Sequence, residues 1–302
     1  MKVEGLSFSV GVIVYLRRYL TSISKLVFIS ILVTSCTAAG FQEFQIYSQA
    51  YDAQYVQADL VLQAVGSAEK SLRASIEPRS NPNGYFEPDY AAYYVDGVEP
   101  PQTAAIRASL KVIKSYNDAM IALASGENAK ALSARISSLT VNVSTAITAV
   151  TSMGASVAST APAAGLASTL LKQLKYLPFV TEAAAVASRE SFRRDLIKSA
   201  PTVRAMLTTL RDEGTPVMYE LMRRASGKSP SKANPRGLPD PAAQKLLAGW
   251  VLLLDKTNLA LKTAADAAET GSQINLDTLN QASVELAVLA EQIRAANVKD
   301  KK

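Results

Sequence analysis

The sequence predicts an all-α protein built as an elongated antiparallel bundle of long helices, and three observations carry that expectation. Apolar residues recur at steps of three and four through long segments, the spacing that lines one face of a helix. The breaks between those segments are short, as at Ser125-Gly126, and short connections make successive helices antiparallel neighbours. Hydrophobic residues make up 48% of the chain at a mean hydropathy of +0.09, which indicates a globular protein with a real core.

The first helix is predicted over about 42–75, with Phe44, Tyr47, Tyr51, Tyr55, Ala58, Leu62, Val65, Leu72 and Ile76 on one face. At 1.5 Å per residue it is roughly 50 Å long. Gln42, Gln45, Gln49, Gln54 and Gln57 are interleaved with its aromatics. They read as the uncharged outer face of a tyrosine-rich seam, with a polar-aromatic surface for sugars or a protein as the alternative.

Pro78, Pro82, Pro88, Pro100 and Pro101 then forbid helix, because each lacks a backbone donor. Irregular loops longer than about 12–15 residues are usually functional or disordered. The aromatic content of 77–101, with Tyr85, Phe86, Tyr90, Tyr93 and Tyr94, argues against disorder. Tyrosine joins a large apolar face to a hydroxyl and suits contact surfaces. These five side chains are therefore the candidate partner-binding residues; the competing reading is a lid that only packs across the helices.

A second helix is predicted over 103–124 with Ile106, Leu110, Ile113, Met120 and Leu123 inward. A third begins near Glu127 and keeps one register through Leu132, Ile136, Leu139, Val143, Ile147, Val150 and Val157. No charged residue occurs between Arg135 and Lys172, and Ala-Pro-Ala-Ala-Gly at 161–165 reads as the tip of a hairpin over 136–171. A membrane-spanning helix is apolar on nearly all sides. Here the apolar residues form a stripe among Ser, Thr and Ala, which favours a hairpin buried in the bundle over one that enters a bilayer as in α-helical pore-forming proteins.

Pro178, Pro201 and Pro216 punctuate the next region, so shorter helices are expected over 163–177, 179–200, 202–213 and 216–225. Arg189, Arg193, Arg194, Lys198, Arg204, Arg211, Arg223 and Arg224 gather there. They read as solvated faces, or else as a patch toward anionic lipid headgroups or an acidic envelope polymer. Residues 227–239 form a linker dense in Gly, Pro, Ser and Asn. After it, Asp240-Pro241 supplies an N-cap and a first-turn proline for a C-terminal hairpin over 240–302. Its first helix points Leu246, Trp250, Leu253, Leu254 and Leu261 inward, its second is expected over 275–297, and the pair docks on the main bundle, 36–226.

The chain contains no histidine, which removes Ser-His-Asp and Cys-His nucleophiles and histidine-bearing zinc and iron sites. No catalytic residue, metal or cofactor is assigned. Carboxylate-only chemistry survives, so a hydrolase using paired acids stays as an alternative. A net charge of +6, part of it in the leader, is too small to argue for nucleic acid.

Near the N-terminus a basic segment with Arg17, Arg18 and Lys25 precedes the apolar run Leu26 to Cys36, which ends Val33-Thr34-Ser35-Cys36. This resembles the lipobox of bacterial lipoproteins: an aliphatic residue, two small residues, then cysteine. The resemblance implies that 1–35 is a signal peptide cut before Cys36, and that Cys36 carries a thioether-linked diacylglycerol, often with an acyl group on the new amine. One acyl chain holds a protein to a membrane only marginally, whereas two or three hold it firmly. Thr37 stands where an aspartate marks inner-membrane retention, which implies the outer membrane with the body facing the periplasm. Secretory leaders usually run 15–30 residues; Cys36 lies beyond that, which suggests a translation start near Val14 or Leu16. With its one cysteine committed to lipid, the body relies on packing alone. The sequence therefore describes a lipid-anchored envelope protein that acts as a non-catalytic binding or structural module for a protein or glycan partner. A membrane-active role for the 136–171 hairpin is the first alternative.

Overall fold

The structure is a computed structural model that describes residues 40–80, 84–155, 161–177, 188–226 and 241–271. The leader, Cys36, the linker 227–239 and the helix expected over 275–297 lie outside the described residues. Among those described, seven helices pack together and no strand occurs: α1 Phe41–Ser80, α2 Pro101–Ser125, α3 Ala129–Ala155, α4 Ala161–Tyr176, α5 Arg189–Thr209, α6 Thr215–Ala225 and α7 Pro241–Thr270. The fold is all-α.

Helix α1 packs against α2, α6 and α7, and this explains why more than one stripe of it is buried. Phe44, Tyr47, Tyr51, Leu62 and Val65 face the core as their spacing predicts. The glutamines divide: Gln45 and Gln49 are exposed, while Gln54 and Gln57 are buried. Gln54 Oε1 accepts a 2.6 Å hydrogen bond from the Thr257 hydroxyl on α7, so an amide that reads as surface is a buried link between helices.

Where α1, α2 and α5 meet, Phe44 stacks edge-on to Tyr116 and Phe192, and Phe41 also meets Phe192. Aromatic rings in such edge-to-face pairs gain about 0.5–1.5 kcal/mol beyond the area they bury. The Tyr51 hydroxyl donates to the Leu110 carbonyl at 2.7 Å, and the Tyr116 and Ser199 hydroxyls are hydrogen-bonded at 2.6 Å. Burial pushes the phenols of Tyr47, Tyr51 and Tyr116 well above their ordinary value of 10.0.

Helix α2 ends as expected at Gly126, whose left-handed φ of 71° returns its N–H to the Ala122 carbonyl. The α3 stripe of Leu132, Leu139, Val143, Val150 and Met153 packs into the bundle beside α2 and α4, while Ser, Thr and other small residues cover its outer face. Residues 161–165 form the first turn of α4 rather than a hairpin tip. Proline is tolerated there because a first-turn N–H has no helical partner. The connection falls in 156–160, outside the described residues.

Three prolines interrupt less than their chemistry suggests. Helix α1 continues past Pro78 to Ser80, and α5 runs unbroken from Arg189 to Thr209 through Pro201. Pro201 and Ile197, whose carbonyl loses its partner to the missing N–H, are both exposed, so water can serve that carbonyl. At Pro216 the chain inserts one π turn, Leu210–Gly214, and goes straight on as α6. A single π turn absorbs a lost donor by shifting the hydrogen-bond register.

Arg189 and Arg194 lie on a solvated face as expected, whereas three other arginines fasten α5 and the π turn after it to α7. Arg193 donates to the Ala268 and Glu269 carbonyls at the C-terminus of α7, where a cation complements the helix dipole. Arg204 donates to Asn258 at 2.8 Å, and Arg211 pairs with Asp255 at 2.6 Å. As the number rises along one helix it falls along the other, so the two run antiparallel. Gly40, just before α1, has φ 83° and lies so close to α7 that an added Cβ would sit 2.8 Å from the Ala264 carbonyl oxygen and from Ala268.

Candidate functional site

The loop 84–100 is fastened to the bundle by charged residues of α1. Glu69 is buried, and its carboxylate accepts the backbone N–H groups of Gln102 and Thr103 at 3.1 and 3.0 Å, and the Thr103 hydroxyl at 2.9 Å. Those are orphan donors in the first turn of α2, so Glu69 acts as an N-cap supplied from another helix. A fourth donor comes from the loop, the Tyr93 hydroxyl at 3.1 Å. Burial raises the Glu69 carboxyl above its ordinary value, against the pull of these four donors.

One turn along α1, the Arg73 guanidinium lies 3.8 Å from the centre of the Tyr90 ring and 3.6 Å from Glu87. Lys70 donates to the Val95 carbonyl at 2.6 Å. At the base of the loop, Arg107 bridges Glu99 and Asp59 at 2.6 and 2.5 Å. The loop's own helical turns, Pro88–Tyr90 and Ala91–Tyr94, set the spacing that these anchors grip.

The five aromatics are therefore divided. Tyr90 and Tyr93 face the bundle and stack edge-on with centroids 6.1 Å apart. Tyr85 and Phe86 are 72% and 69% exposed, and Phe86 packs 5.6 Å from the ring of Tyr94, itself 40% exposed. Val95 and Val98 add exposed apolar surface to the same loop. No family model, curated protein or solved structure matches this chain. The loop is thus held by Glu69, Lys70 and Arg73 of α1 and Arg107 of α2, with Tyr85, Phe86 and Tyr94 exposed.

Two other features bear on the alternatives. Asp52 and Asp118 come together in a polar trough of about 250 Å³ with Gln45, Gln49, Glu127 and Arg135. Lys114 sits between them, 2.8 Å from Asp52 and 3.6 Å from Asp118, so these two acids are tied to a cation. Among the described residues no group of three His, Cys, Asp or Glu is placed to hold a metal ion, and no helix is long and apolar enough to cross a membrane.

The anchors Glu69 and Arg73 carry a signal in the sequence that the apolar pattern alone conceals. Glu69 lies four residues after Val65 and three before Leu72, which puts an acid on the buried stripe of α1. An ionisable residue in that register needs partners. A groove between the consecutive helices α6 and α7 gives no such signal, because packing decides whether two neighbouring helices close on each other or part.

Proposed function

We propose that this chain is a non-catalytic binding module of the bacterial cell envelope, tethered to the outer membrane by lipid on Cys36 and facing the periplasm. The observation that supports the binding role is the division of the loop's aromatics. A loop that only sealed the bundle would turn its largest apolar side chains inward, yet Tyr85 and Phe86 point out while Tyr90 and Tyr93 hold the base. Rings held in place lose little conformational entropy on contact, and they stack on protein side chains or on the apolar faces of sugars. The partner is a protein or an envelope glycan that meets this face.

A photoreactive phenylalanine analogue at position 86 of the full chain, irradiated in intact cells, should yield a discrete protein adduct, or the chain should bind purified envelope glycan. The double change Tyr85→Ala and Phe86→Ala should weaken that binding by about tenfold or more. The melting temperature should change little, since both side chains are mostly exposed. Undiminished binding by the double variant to both partner classes would sink the reading. The tether is tested separately by mass spectrometry of the Cys36 peptide: an unmodified thiol with residues 1–35 still attached overturns it.

A further inference from the structure

Continuing the antiparallel register of α5 and α7 through the π turn brings Thr215 opposite Val251, Tyr219 opposite Leu247, and Arg224 toward Gln244. Beyond the π turn, however, the helices part: α6 packs far less closely on α7 than α5 does. The gap is a groove of about 1150 Å³, lined also by Ala161 and Pro162 of α4. Its walls are mostly apolar, with Pro216, Tyr219, Leu247, Val251 and Leu252, the last 49% exposed.

The charged lining residues are Glu220, midway along the α6 wall, and Arg224, one helical turn further on. Arg223 holds the Glu220 carboxylate with two hydrogen bonds of 2.8 and 2.7 Å, and those bonds keep it below the usual carboxylate range. Two arginines thus share one carboxylate, so among the described residues these three side chains carry one net positive charge. An apolar trough with a cationic mouth complements a molecule with an apolar chain and an anionic head.

We propose that the groove binds a single-chain fatty acid, its tail between α6 and α7 and its carboxylate at Arg224. Length narrows the choice. Nine residue steps from Thr215 to Arg224 span about 14 Å. Carbon–carbon bonds of about 1.5 Å in a zigzag advance somewhat less than that each, so roughly ten to twelve carbons fill the trough. The groove exceeds the roughly 300–1,000 Å³ of a typical small-molecule pocket, as befits an open trough.

The test uses the full chain in its own membrane fraction and a dodecanoic acid carrying a diazirine and an alkyne. After irradiation, adducts mapped by mass spectrometry should fall on 215–224 and 244–252. Arg224→Gln should reduce those adducts about three- to fivefold with the acid, and leave them unchanged with the matching diazirine alcohol. Leu252→Glu should abolish both while circular dichroism shows the helices intact. Adducts confined to other parts of the chain would refute the proposal, as would equal labelling by acid and alcohol that ignores Arg224→Gln.

Discussion

Removing the Glu69 carboxylate should release the aromatic loop and the start of α2 together. In Glu69→Ala the Gln102 and Thr103 amides lose their acceptor inside the protein, while the Thr103 and Tyr93 hydroxyls can rotate to seek others. A buried donor left unsatisfied costs about 1–3 kcal/mol. Two such amides, offset in part by no longer burying a carboxylate, give a net loss of about 2–4 kcal/mol. Glu69→Gln keeps the shape and one acceptor but turns an NH₂ toward a donor, for a smaller loss of about 1–2 kcal/mol. Urea denaturation reads the total, and hydrogen exchange at the Gln102 and Thr103 amides reads the site. The pH dependence adds a sign. Because the folded carboxyl is raised, its contribution is fully present below its unfolded value, near 4.5, and fades as pH rises through the folded one. The stability gap between wild type and Glu69→Gln should therefore widen on acidification from neutrality. A gap that narrows in acid, or exchange at those two amides that Glu69→Ala leaves untouched, would refute the reasoning.

Gly40→Ala should destabilise by about 1–3 kcal/mol, because it forces a side chain into left-handed backbone and against α7; a thermal melt measures it. Pro201→Ala should stabilise by about 1–2 kcal/mol, since an exposed mid-helix site regains its amide hydrogen bond; no rise in the urea midpoint would contradict the account of that carbonyl. In an ultraviolet titration of tyrosinate, the phenols of Tyr47, Tyr51 and Tyr116 should ionise only with unfolding, well above 10.0. Their folded values are raised, so their contribution is present below the ordinary phenol value and is lost as pH climbs past it toward the raised ones, and unfolding should follow in strong alkali. Tyr116→Phe, which gives up the bond to Ser199, should cost about 1 kcal/mol by the same melt.

The residue spacing by itself determined that this body is helical, one buried face of α1, the buried faces of α2, α3 and α7, and where α2 stops. Those properties are local: a period near 3.6 selects the inward side chains, and Gly126 can take the left-handed backbone a helix end requires. It also marked Tyr85, Phe86, Tyr90, Tyr93 and Tyr94 as one group, because aromatics in a proline-rich loop are visible in one dimension. Tertiary structure decided the rest. Which rings anchor and which are displayed depends on Glu69 and Arg73, residues from a helix that precedes the loop and reaches it only through the fold. Whether a proline breaks a helix depends on what surrounds the carbonyl it strands, as Pro201 and Pro216 show. Gln54, Arg193 and Arg204 read as surface until α7 lies against them, because a polar side chain follows its partner, and only packing brings α7 there.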